Sequence, residues 1–454
     1  MRESNRAELN PPSGAGCSPV PFPRSRWLTP DRGSRPRNAF NQLFALAAVF
    51  GILAATWGLW LENEERLDRK ASRQRITGAC AGLADPGKVL GLNGGTTRVR
   101  PGSRSGDRFA SHALPGTCVL YRVGEPGTTY GHFELSVHTD PSGRYAHVLS
   151  GTEDPFEERA REHTGDLTRV ADESPEYPLD APGEDDGRVG HYGDDSADVK
   201  VVCEKGEAAR GGTGQVTSVN AVARADYEHV GLADRLALVE LARDAAYKAA
   251  KRIGCTPETP APLVARLYIA DARLVKATSP KAGGTCGWYR RFVELEGLGK
   301  LPDRALSAPV GEHSVTESCL LAASPAQTRR VWPTLAREKT DSVRLDDVLD
   351  HQPWWIRTDS FFGDEAREVV AERIGGHRTP ARPGTAGVDR AAGVWWASST
   401  CEGRPAVHTF TIGLGYDDAA RPRARAAFKA YVDSVTESRG CTGVTFPKAS
   451  AFRP

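Results

Sequence analysis

The chain is predicted to be an α+β protein: two tandem, disulfide-stapled copies of an antiparallel sheet packed with helices, preceded by one transmembrane helix. Three observations predict this. Residues Leu43 to Leu61 form nineteen consecutive positions without a charge. Eight of the nine cysteines follow that run and fall into two quartets with similar spacing. Strand-like and helix-like segments then recur around each quartet in the same order.

A helix of nineteen residues is about 28 Å long, close to the hydrocarbon thickness of a bilayer. Trp57 and Trp60 sit at its far end, where indoles favour the headgroup level. Residues 1–40 carry seven Arg against three acids, and Glu62, Glu64 and Glu65 follow the run. That asymmetry places a disordered, Arg-rich tail (1–40) in the cytoplasm, the bilayer-contacting segment 43–61 within a transmembrane helix (41–61), and the remainder outside, after a juxtamembrane segment (62–76). A cleavable signal peptide needs an Ala-x-Ala-like pair of small residues just past the apolar core, and Thr56 to Trp60 supply none, so the anchor is expected to be retained. Ala47, Gly51 and Ala55 stand at four-residue intervals, a small-residue stripe that permits a homodimer through this helix.

Outside the membrane thiols are oxidised, so eight cysteines most simply make four bridges. Cys80, Cys118, Cys203 and Cys255 are separated by 38, 85 and 52 residues; Cys286, Cys319, Cys401 and Cys441 by 33, 82 and 40. Cys17 lies in the cytoplasmic tail and is left over. Cys203 and Cys401 each follow an apolar run, Val199 to Val202 and Val394 to Ala397, and each precedes a second strand-like run. A long helix comes next, Leu232 to Arg252 or Arg423 to Ser438, ending in Gly254-Cys255 or Gly440-Cys441. In these helices Leu232, Leu236, Val239 and Ile253, and Phe428, Val432 and Val435, are expected to form the buried stripes. Thr152 to Phe156 with Ala160 to Glu162 resembles Thr358 to Phe362 with Ala366 to Glu368 at one constant offset.

The expected domains are therefore 77–255 and 263–454, joined by a linker at 256–262. Each reads as helix, two strands, helix, two strands, helix, beginning with a short helix at Pro86 to Leu92 and a half-buried strand at Tyr130 to His138. Cys203–Cys255 and Cys401–Cys441 would pin helix ends to strands, leaving Cys80–Cys118 and Cys286–Cys319. Four cysteines allow three connectivities per quartet, so other pairings remain open. Residues 172–198 hold ten acids and one Arg, broken by Gly and Pro, and read as a solvated acidic loop.

The sequence shows no catalytic constellation. Zinc-protease, phosphate-loop and nucleophile-elbow patterns are absent, and no cofactor or metal is expected. His132, Glu134 and His138 share one face of an ideal strand, but a solvent-facing strand accounts for them without a metal. The net charge of +1 conceals +4 in the tail and −3 elsewhere, neither of which suits a nucleic-acid partner. Trp354-Trp355 and Trp395-Trp396 put adjacent indoles on opposite strand faces, so one of each pair is a candidate binding surface.

The Arg-rich tail, the single anchor, Cys80-Ala81-Gly82-Leu83, Gly116-Thr117-Cys118 and the run Trp395 to Ala406 together resemble exported, single-pass envelope proteins of high-GC Gram-positive bacteria. The resemblance implies no activity. The expected function is a non-enzymatic envelope protein that binds an unknown ligand or protein partner outside the cell. The alternative is an envelope hydrolase with an unlinked active site, for which His132, Glu134, Asp140 or His313 would serve. A His–carboxylate pair in one cleft with shifted pKa values would be its sign.

Overall fold

The computed structural model describes residues 35–103, 116–124, 128–140, 147–162, 165–179, 189–208, 215–257, 267, 271–311, 314–335 and 344–453. The chain divides into two compact units, residues 1–67 and 68–454. Tail residues 1–34, with Cys17, lie outside the described residues, as do 258–262 of the expected linker.

Helix α1 (Arg35–Ala79) contains the segment Ala39–Ala79, which is long and apolar enough to cross a membrane; none of its most apolar stretch is buried. The juxtamembrane segment 62–76 is helical throughout and continues the same helix. No proline interrupts it, and Glu, Arg, Lys, Leu and Ala are good helix formers.

The first half continues with α2 (Pro86–Gly91), β1 (Val99–Pro101), β2 (Gly116–Val123), β3 (Thr129–Asp140), β4 (His147–Leu149), α3 (Glu157–Glu162), β5 (Tyr177–Pro178), β6 (Val189–Tyr192), β7 (Ser196–Ala208), β8 (Gln215–Ala225) and α4 (Leu232–Ile253). The second half holds β9 (Val275–Lys276), α5 (Gly287–Glu296), β10 (Arg304–Ser307), β11 (Thr316–Ala322), α6 (Pro325–Val331), α7 (Leu345–Asp350), β12 (Trp355–Phe362), β13 (Val369–Glu372), β14 (Arg378–Pro380), β15 (Gly387–Asp389), β16 (Val394–Cys401), β17 (Arg404–Ile412), α8 (Asp417–Ser438) and β18 (Thr442–Thr445).

These elements make the expected α+β architecture. One antiparallel sheet has the order β1-β2-β3-β8-β7-β6-β5; the other runs β15-β16-β17-β12-β11-β10-β9, with β18 beside β16. Without β5, β9 and β18, the two sheets have one plan: β1-β2-β3-β8-β7-β6 matches β10-β11-β12-β17-β16-β15. A third, small sheet joins the halves, with β4 of the first parallel to β13 of the second and β14 beyond it. Both large sheets fall within the one unit 68–454.

The sulfurs pair as Cys80–Cys118, Cys203–Cys255, Cys286–Cys319 and Cys401–Cys441, with Cα separations of 5.1, 5.4, 5.2 and 4.0 Å. Cys255 and Cys441 follow the ends of α4 and α8 and anchor them to β7 and β16. Gly254 caps α4 at φ 82°, a conformation that costs glycine little.

The ladder corrects one sequence match. Cys118 stands opposite Leu135, and Cys319 stands opposite Thr358, so Leu135 is the structural counterpart of Thr358. Thr152 to Phe156 lies in a turn and loop, whereas Thr358 to Phe362 lies in β12. The long gaps between strands also hold the small sheet, with α3 and a single helical turn at Glu365–Arg367, in place of the expected helices.

The helix faces differ from the expected stripes in one half only. On α8, Phe428, Val432 and Val435 are buried as expected. On α4, Leu232 and Leu236 are 48% and 37% exposed, and Leu238, Val239, Leu241 and five alanines form the buried face. Small side chains let the helix lie close to the sheet, and the alanine run cannot be distinguished from neutral helix composition by a leucine pattern.

The segment 172–198 is also corrected. Tyr177–Pro178, Val189–Tyr192 and the start of β7 are strands at the edge of the first sheet; residues 180–188 lie outside the described residues. Pairing of Val189 to Tyr192 with Ala197 to Lys200 satisfies backbone groups that a solvated loop would leave to water.

Candidate functional site: a charged cavity between the sheets

Each large sheet packs one face against its long helix. Along β12, Ile356 belongs to the α8 core, with Thr358 and Ser360 on the same side by the strand's alternation, while Trp355, Arg357, Asp359 and Phe361 point the other way. In β7, Val199 and Val201 join the α4 core and Lys200 points away from it. The two faces turned away from the helices enclose a cavity of about 480 Å³, lined from the first half by strands β6 to β8 and the segment before β5, and from the second by β11, β12 and Glu365.

Charged groups from both halves meet there. His147 Nε2 donates to Glu365 Oε2 at 2.6 Å, and Lys200 Nζ donates to Glu365 Oε1 at 3.0 Å. Beside the lining, Thr217 Oγ1 donates to Asp364 at 3.1 Å. On the other side of the cavity His191 Nε2 lies 3.2 Å from Glu176 Oε2 and 3.9 Å from Asp198 Oδ2, and Thr316 donates to Glu176 at 3.2 Å. These contacts help two charged, non-apolar faces approach each other: Glu365 and Glu176 each have a donor from another element, while Asp198 Oδ1 has no hydrogen-bond partner among the described residues.

Burial and partners pull the titrations apart. Burial lowers the proton affinity of His191, but Glu176, then Asp198 and Glu365, outweigh it and raise its pKa to about 9. Burial raises Asp198 to about 6, against the pull of His191. For Glu365, burial favours the neutral acid, yet the hydrogen bond from His147 and the charge of Lys200 hold it well below the usual carboxylate range. Burial raises Asp359, with Arg357 opposing. Just outside the lining, burial lifts Asp154 to about 7.

Two opposite charges on one strand face adjoin this web without an ion pair to it among the described residues. Asp359 is only 7% exposed; Ser318, across the ladder, bonds its carboxyl, but Oδ2 has no hydrogen-bond partner among the described residues. Arg357 lies over the Trp355 ring at 5.9 Å and makes no ion pair among the described residues.

The residues singled out from sequence lie elsewhere or play other roles. Trp354, Trp355, Trp395 and Trp396 are all buried, at 1, 3, 3 and 8% exposure, so none forms an exposed binding surface. Their alternation is as expected, but both faces of the second sheet are covered. Trp354 stacks on Tyr416, and Trp395 stacks on Phe452 and donates to Ala451 O. Trp355 packs with Phe156 and Leu320, and Trp396 packs with Val369 and Val407. First-half residues help to cover this second face, which local sequence cannot reveal.

His132 is buried with Nε2 2.9 Å from Val89 O, because a bulge beside Gly131 turns it under α2; burial lowers its pKa. No group of three metal-ligating side chains is assembled among the described residues. Asp140 ends β3, but its side chain, and all of His313, fall outside the described residues, and His132 and Glu134 do not line the cavity. Ala47, Gly51 and Ala55 lie on the exposed surface of α1.

Sequence reasoning missed Glu176, His191, Asp198, Lys200, Arg357, Asp359 and Glu365. The available signal was a charge inside a strand with apolar neighbours: Lys200 between valines, and Arg357 and Asp359 between Trp355 and Phe361. Comparison with protein-family models, curated proteins and solved structures finds no match.

Proposed function

We propose that the chain is a single-pass envelope protein of the high-GC Gram-positive type, with its N-terminus cytoplasmic and residues 68–454 outside the cell, where they bind a small polar ligand. The observation that carries this reading is the cavity between the sheets, with its charged lining held by both halves. Its volume lies within the range of small-molecule sites, and its convergent polar groups are of the kind that fix a ligand's orientation. The apolar helix and the four bridges support an anchored protein in an oxidising compartment.

The test uses the full chain in detergent micelles, titrated with the soluble low-mass fraction of cell envelope. Saturable binding is expected in the parent protein and its loss in Ser318→Trp, which fills the cavity. Equal binding by a folded Ser318→Trp variant would move the site elsewhere, and absence of binding by the parent would end the reading.

The hydrolase reading gains one specific observation: His191 with Glu176 and Asp198 is a His–carboxylate cluster with separated pKa values inside one cavity. Under this reading the envelope fraction is consumed during incubation, and Asp198→Asn stops the turnover while leaving binding intact. A mass spectrum of the fraction that does not change with time would exclude it.

A further inference from the structure

We infer that the cavity recognises a small zwitterion, a molecule carrying both an ammonium and a carboxylate, with the ammonium at Asp359 and the carboxylate at Arg357. The inference rests on the cavity being a binding site and adds the chemistry of its ligand. Asp359 and Arg357 are two residues apart on β12, so their side chains leave the same face with roots about 7 Å apart. That spacing presents opposite charges to the two ends of one small molecule.

The remaining charges explain why the ligand carries both signs. Glu365 is occupied by His147 and Lys200, and Glu176 by His191. Asp198 Oδ1 and Asp359 Oδ2 are both buried without a hydrogen-bond partner among the described residues, but only Asp359 shares a strand face with a guanidinium, that of Arg357, which has no ion pair among the described residues. A simple cation would satisfy the acid and leave the guanidinium unmatched; a simple anion would do the reverse. A buried polar group left without its partner costs more than the bond itself contributes, so the cavity discriminates against both.

The walls fit the same class of ligand. Phe361 lines the cavity on the same strand face as the two charges, and His147, also in the lining, packs on it at 4.5 Å between ring centres. Aromatic walls beside a paired acid and guanidinium suit an amino acid or short peptide whose side chain is partly apolar. The volume of about 480 Å³ accommodates such a molecule and excludes a folded partner.

Calorimetric titration of the full chain in micelles, with free amino acids and di- and tripeptides as probes, tests this. At least one zwitterion is expected to bind saturably. Its N-acetyl and C-amide derivatives should each bind about 10- to 100-fold more weakly, the cost of losing one charge-assisted contact. Arg357→Gln should abolish the penalty for the amide but retain that for the acetyl group, and Asp359→Asn should do the opposite. Capped and uncapped probes binding equally would overturn the inference. So would a protein that takes up the envelope fraction but no zwitterion, which would leave the cavity a site for other chemistry. Absence of both would remove the underlying reading as well. If either variant fails to fold, the capped series on the parent protein decides the matter alone.

Discussion

The two halves share a strand order and differ in what fills it. Under α4 the first core is aliphatic and rich in alanine: Ala242, Ala245, Ala246, Ala249 and Ala250 are all buried. Under α8 the second core is aromatic, with Trp288, Tyr289, Phe292, Trp354, Phe410, Tyr416, Phe428 and Tyr431. One topology thus tolerates two solutions to the helix-to-sheet gap, close approach on alanines or a thick aromatic layer. Packing density must be native in both, so the halves should respond to opposite kinds of damage.

The largest expected effect is in the aromatic half. Trp354→Ala should cost about 3–5 kcal/mol, because stacked neighbours such as Tyr416 cannot collapse into the space. Every tryptophan of residues 68–454 lies in the second half, so fluorescence reads that half while circular dichroism reads both. Denaturant unfolding should give coincident transitions by the two probes, as one compact unit requires. Separate transitions would make the halves independent domains.

Opening a helix-end bridge should affect the halves almost equally. Cys203–Cys255 and Cys401–Cys441 close loops of 52 and 40 residues. In the chain-entropy model each contributes about 4 kcal/mol, and the two differ by only about 0.2 kcal/mol. Paired Cys→Ala variants compared by their denaturant midpoints check this; a much larger loss in one half would show that its helix depends on the bridge for more than entropy. In the alanine half the sensitive change is enlargement. Ala246→Leu should cost about 1–3 kcal/mol by overpacking α4 against its sheet.

Two histidines sharpen the contrast through pH. His191 faces the cavity with its pKa raised to about 9, whereas burial lowers that of His408, between Ser360 and Ser399, to about 4. A raised pKa means that the folded state holds the proton more tightly. The contribution of His191 is therefore present below about 6.5 and is lost as pH rises through 9. For His408 the unfolded chain binds the proton more tightly, so stability falls as pH drops from 6.5 through 4. His191→Gln should flatten the alkaline limb of the stability profile and His408→Gln the acidic limb, with the imidazole NMR titrations checking both assignments.

The smallest effects are at the surface of the long helices. Lys88 of α2 reaches Glu240 and Asp244 of α4, and Lys429 pairs with Asp433 within α8. Lys88→Ala should cost up to about 1 kcal/mol and Lys429→Ala about 0.3–0.5 kcal/mol, both reduced by salt.

Local pattern was a good guide wherever a segment carries its own signal. The nineteen-residue apolar run, the strand Tyr130 to His138 and the helix from Leu232 are each legible because periodicity and end signals lie within a dozen residues. The cavity was not legible. Glu176, His191 and Asp198 sit in a stretch whose composition reads as solvated, and only pairing with β7 and the approach of the second half bring them together and cover most of His191 and Asp198. The four indoles illustrate the same limit: alternation predicted their directions, but not that the outer face of their sheet would also be covered.

What the sequence determined by itself is the set of quantities fixed by composition and spacing along the chain: an apolar segment of bilayer length, an α+β pattern, and two cysteine quartets whose sulfurs meet within each quartet. Tertiary structure alone decided which charges face one another. His147, Lys200 and Glu365 are far apart in sequence and come from both halves, and their titration depends on partners and on lost water. Apolar burial can be read from a pattern because it is a property of one face of one element. Charge pairing in a cavity depends on distance and solvent exclusion between elements, and these arise only when both sheets are in place.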